Sequence, residues 1–130
     1  MNIPILIVAC ITAIAVLGHV LGGTRETASI VPSNKDKTLT RNWKQAMGAF
    51  QMLSIDLLLV AIALFLIALT DIITFEYELT LILSLLYFLW GLVWLIQLLW
   101  LKSELKTYLH LPHWALWFVC SGLLYYGAAS

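Results

Sequence analysis

The chain has 130 residues, of which 62% are hydrophobic and 11% charged, with cationic and anionic side chains balanced at a formal net charge of zero. A soluble domain carries roughly a quarter charged residues, so this composition excludes one soluble core and predicts an integral membrane protein. There is no basic surplus of the kind a nucleic-acid partner would need.

In chain order, four apolar stretches are long enough to cross about 30 Å of hydrocarbon at 1.5 Å per residue: 3–21, 46–69, 79–101 and 111–129. They predict an all-α, four-transmembrane-helix bundle forming a single membrane domain over 1–130. The first stretch has no Lys or Arg before it, where a secretory signal would be positive, and reads as a retained helix. Ala15, Gly18 and Gly22 form a small-residue face on it, and Gly22 with Gly23 reads as its end.

The segment GGTRETASIVPSNKDKTLTRN follows and reads as a loop over 22–45, interrupted by Pro32 and with SNKDK as a solvated turn. Arg25, Lys35, Lys37, Arg41 and Lys44 all fall in it, and Trp43 with Lys44 marks the entry of the second span at the interface. The second span carries Asp56 inside an otherwise apolar run, where a carboxylate costs roughly 3 kcal/mol on insertion scales. By helical spacing Asp56 aligns with Ala49, Met52, Val60 and Ala63, whereas Gln51 points about 140° away.

The second loop, TDIITFEYEL, holds Asp71, Glu76 and Glu78 and no cation, and the third holds Lys102 and Lys106. All seven Lys and Arg therefore lie in the first and third loops, and the positive-inside rule puts those loops in the cytoplasm and both termini outside. On the third span Ser84, Tyr87, Gly91, Trp94 and Gln97 share one stripe, and on the fourth His113, Trp117 and Ser121 do so with His110 one turn earlier. His19, Asp56, Gln97, His110 and His113 then gather in the cytoplasmic half, leaving the outer half nearly all apolar.

The candidate binding or proton-linked residues are accordingly Asp56, His19, Gln97, Trp94, His113 and Ser121. Asp56 has a structural alternative, hydrogen bonding across the bundle to Gln97, Trp94 or a histidine. It also has a functional one, passing a proton to His19 or His113 near neutral pH. His19, His110, His113 and Asp56 are the candidate ligands for a divalent metal or a haem iron, with no cofactor specified. Zinc-protease spacing, a phosphate-binding Gly-rich loop and a nucleophile with an evident base are not found in the sequence. Cys10 and Cys120 both fall within spans and exclude a disulfide framework.

The stretch GHVLGGTRE closing the first span, the loop with Pro32 and the opening WKQAMGAFQMLS together resemble a group of small uncharacterised bacterial inner-membrane proteins. Those end their first helix on a His followed shortly by paired Gly or Gly-Glu, and often open the second with a His. Here Gln51 stands at the place of that second His, and the His19 to Gly22 spacing is one residue short. The resemblance covers about the first half of the chain and implies a bacterial inner membrane; it implies no activity.

A bundle of this size packs its own centre, so a hydrated path needs a homo-oligomer with the Asp56 seams around it. Three function classes follow. One is a transport or binding protein for a small solute, proton or cation, acting as a homo-oligomer. The others are a membrane metal- or haem-binding protein and a non-catalytic assembly subunit; an enzyme is the less favoured reading.

Overall fold

The computed structural model describes residues 1–33 and 36–130, and these are all-helical with no strand. Helix α1 (Ile3–Leu17) passes into a π-helical stretch, Gly18–Gly23, and on into α2 (Thr24–Ser29). Then come α3 (Lys37–Leu69), α4 (Glu76–Trp100), the short α5 (Leu105–His110) and α6 (His113–Ala129). Three helical runs are long and apolar enough to cross a membrane: Ile3–Ser29, Lys37–Leu69 and Glu76–Trp100. α6, at 17 residues, is shorter than these.

Two sequence boundaries move, both for local reasons. Gly22 and Gly23 do not end the first helix, because Gly23 keeps right-handed helical angles and no described glycine adopts a positive φ. A glycine ends a helix only when its backbone turns left-handed, and here the helix widens instead, with the Thr24 N–H reaching the His19 carbonyl five residues back. α3 begins nine residues before the apolar stretch does. Its start is set by Asp36, whose carboxylate accepts the Leu39 N–H at 2.8 Å and caps the helix. The expected loop 22–45 therefore contracts to the connection between Ser29 and Lys37, and Arg25, Lys37, Arg41 and Lys44 all stand on helices. Of the SNKDK turn, Asn34 and Lys35 lie outside the described residues.

α4 ends in a Schellman arrangement. The Ser103 N–H donates to the Leu98 carbonyl and the Lys102 N–H to that of Leu99, with Lys102 at φ 50°. His110 closes α5, and the chain breaks at Leu111 and Pro112 before α6 starts, so His110 is not one turn earlier on the fourth span. Proline disfavours the helical region for the residue before it, which makes this break local chemistry.

The chain divides into two compact units, Met1–Val8 with Leu64–Ser130, and Ala9–Ala63. In the first, α4 packs along α6, burying Leu83, Tyr87 and Leu98 from one and Trp117, Cys120 and Leu124 from the other. Gly91 lets them approach: a Cβ there would meet the Phe118 ring at 2.9 Å and the Trp114 carbonyl at 3.0 Å. Asn2 ties the start of α1 into this unit, its amide donating to the Gly127 carbonyl at 2.7 Å while its backbone N–H donates to Ala68 at 3.0 Å. In the second unit the run through α2 packs beside the first part of α3.

Candidate functional site

In the Ala9–Ala63 unit the π-helical stretch presents His19 to α3. Its ring stacks on Phe50 with centroids 3.8 Å apart and planes 12° from parallel, and Nδ1 lies 3.0 Å from Ser54 Oγ. The Ser54 hydroxyl also lies 3.3 Å from the Phe50 carbonyl. Ser54 is buried, and the pair holds the His19 ring in place against α3.

The paired glycines acquire a physical role here. A Cβ on Gly23 would sit 2.6 Å from Phe50 Cζ, whereas one on Gly22 would meet nothing within 4 Å. Gly23 is the glycine that lets Phe50 lie against His19. Two further bonds hold the same helices together: Gln51 Nε2 donates to Thr24 Oγ1 at 3.2 Å, and Trp43 Nε1 to the Thr27 carbonyl at 3.1 Å. Trp43 thus turns its polar edge to α2 and is half-buried, while Lys44 beside it is exposed.

In the other unit the expected stripes meet. Ser84 and Ser121 exchange hydrogen bonds, each hydroxyl donating to the other's backbone carbonyl at 2.9 and 2.8 Å, with the two hydroxyls 3.3 Å apart. Below them Tyr87, Trp90 and Trp117 form a triangle of rings with centroids 5.1 to 5.6 Å apart. Trp94 stacks on His113 at 5.0 Å, with planes 13° apart. Trp94, His113 and Ser121 therefore belong to one α4–α6 seam, although the His113 residue remains exposed overall.

Two candidates lie off the buried faces. Gln97 is exposed, and Leu98 occupies the buried position at that level of α4. Asp56 is exposed too, as are Ala49 and Met52 on its line, Met52 at 71%. The buried line of α3 is Ser54, Leu57, Ala61, Leu64 and Ala68. The reason is that α3 is apolar on every side from Leu57 onward, so its periodicity defines lines of residues without saying which one faces inward. Among the described residues no partner engages the Asp56 carboxylate.

Sequence reasoning missed Phe50, Ser54, Trp90 and Asn2. Ser54 and Asn2 are small polar residues in apolar runs, and that signal would have found them. Among the described residues no group of three or more His, Cys, Asp and Glu side chains is placed to hold a metal ion. No family model, no curated protein and no solved structure matches this chain.

Proposed function

We propose that the chain is a four-span inner-membrane protein with both termini outside, whose working unit is a homo-oligomer joined along the Asp56 face of α3, where it binds or passes protons or small cations. The observation that carries this reading is the exposure of Asp56 in the middle of an apolar helix. A carboxylate facing lipid there costs roughly 3 kcal/mol on insertion scales, and a second copy supplying a hydrogen-bonding partner offsets it. Gly48, two turns earlier and about 80° round the helix from Asp56, has open space where a Cβ would be and permits close approach of another helix. Gly18 and Gly22 are likewise open: among the described residues nothing lies within 4 Å of where a Cβ on either would be. The resemblance of GHVLGGTRE agrees with a bacterial inner membrane.

The test separates assembly from proton handling. Asp56→Leu is expected to shift the protein from oligomer to 14.6 kDa monomer in mild detergent, measured as mass across concentrations. Asp56→Asn keeps a hydrogen-bonding amide and is expected to stay assembled while losing proton uptake in reconstituted vesicles carrying a pH gradient. A wild type that is monomeric at every concentration, or an Asn variant matching it in proton uptake, overturns the corresponding half. Orientation has its own measurement. In a Cys10→Ala, Cys120→Ala background, single cysteines at Ser33 and Thr74 are expected to label from opposite faces, Ser33 from the cytoplasm; labelling of both from one side refutes the topology.

A further inference from the structure

Lys37, Arg41 and Lys44 stand one turn apart along the exposed side of α3, and together with Thr40 and Gln45 they line a shallow groove. From the geometry we infer that this groove is a binding site for the phosphodiester headgroup of an anionic phospholipid. The inference rests on α3 crossing a bilayer, which its length and composition allow.

Position comes first. The 33 residues of α3 reach about 50 Å, against about 30 Å of hydrocarbon, so part of the helix must stand in the headgroup layer. The cations occupy its first eight residues, and the stretch from Ala46 to Leu69 carries no Lys or Arg. The stripe thus meets the membrane at headgroup level. Attitude is held from the flank of the helix: the Trp43–Thr27 bond ties the turn that carries Arg41 and Lys44 to α2, and the Gln51–Thr24 bond ties the same helix to α2 two turns beyond Lys44.

Charge comes second. Positions 37, 41 and 44 follow steps of four and three, so the three cations cover about 10 Å of one helix face. Asp36, the nearest acid in sequence, turns its carboxylate to the Leu39 N–H, and among the described residues no carboxylate pairs with the three cations. The Arg41 guanidinium matches a phosphodiester with two parallel donors, and the lysines add point charges on either side. A lipid headgroup is favoured over a soluble phosphate because its acyl chains continue down the exposed apolar side of the same helix, past Met52, Ile55 and Leu59, exposed by 71%, 57% and 59%.

Each cation near an anionic surface contributes about fivefold to affinity, so removing all three is expected to weaken binding about a hundredfold. The experiment is native mass spectrometry of the full chain titrated with phosphatidylglycerol or phosphatidylcholine. Wild type is expected to retain phosphatidylglycerol selectively, the triple variant K37Q/R41Q/K44Q to lose that selectivity, the charge-keeping K37R/K44R variant to preserve it, and K102Q/K106Q to leave it unchanged. Equal retention by the triple variant, or equal retention of phosphatidylcholine by wild type, overturns the site. Displacement of the lipid by millimolar glycerol phosphate assigns the groove to soluble phosphate and overturns the lipid. Carbonate extraction of both proteins from vesicles tests the span separately: if they resist extraction, a loss of selectivity speaks about the headgroup alone, and if they are extracted the spanning reading falls and this site with it.

Discussion

Ser84 and Asp56 each put oxygen into an apolar stretch of helix, and the chain treats them in opposite ways. At the α4–α6 seam the two serine hydroxyls are spent on each other's backbone, buried, and surrounded by rings. On α3 a carboxyl group is left on the exposed side. In hydrocarbon an unpaired polar group is costly, so polar groups satisfied inside the chain belong to folding, and one left outside belongs to association or function. On the proposed function, the difference separates what holds this protein together from what it offers to a second copy.

That separation is breakable, and the largest effect is expected inside the seam. Gly91→Leu drives a side chain into the Trp114 carbonyl and the Phe118 ring, one of which is backbone and cannot yield. It is expected to cost about 3 kcal/mol of stability, read as a lowered thermal midpoint in detergent. Asp56→Leu is the contrasting change on the outward face. It is expected to leave the monomer's unfolding within about 0.5 kcal/mol of wild type, as exposed substitutions do, while weakening self-association at least about tenfold. Should it destabilise the monomer as Gly91→Leu does, the distinction between the regions collapses. The smallest effect sharpens the comparison: a double-mutant cycle of Ser84→Ala and Ser121→Ala is expected to give a coupling of about 0.6 kcal/mol, the size usual for hydrogen bonds between membrane helices. A coupling near zero would mean that the ring contacts alone hold the seam.

The helical class was legible from composition together with the length of the unbroken apolar stretches, which suit helices rather than strands. The α4 stripe from Ser84 to Trp94 was equally legible, since polar and small residues at steps of three and four single out one side. α3 was not legible in that way. Its line through Ala49, Met52 and Asp56 is a true helical line, but the line through Ser54, Leu57 and Ala61 is just as regular, and the burial decides for the second. The spacing aligned Asp56 with its neighbours and left open which line faces the chain's own interior. Helix limits failed for another reason: hydropathy reports where a bilayer accepts the chain, whereas the start of α3 is decided by one Asp36 hydrogen bond. At GHVLGG two glycines gave the sign of a stop, and only the contact between Gly23 and Phe50 explains why the helix continues through them.

The π-helical stretch also makes the first helix forgiving in length. A turn closed by i→i+5 bonds holds one residue more than an α turn, so a one-residue deletion within it rewinds the helix to i→i+4, whereas the same deletion in α1 swings everything after it by about 100°. Gly18 is the residue such an event would remove without loss: a Cβ there would touch nothing within 4 Å. The four-residue interval from His19 to Gly23 would survive, and both would still face Phe50. Deletion of Gly18 is therefore expected to keep the ring contact, which makes this short stretch an indel-tolerant joint between an apolar helix and the helical turns that follow it.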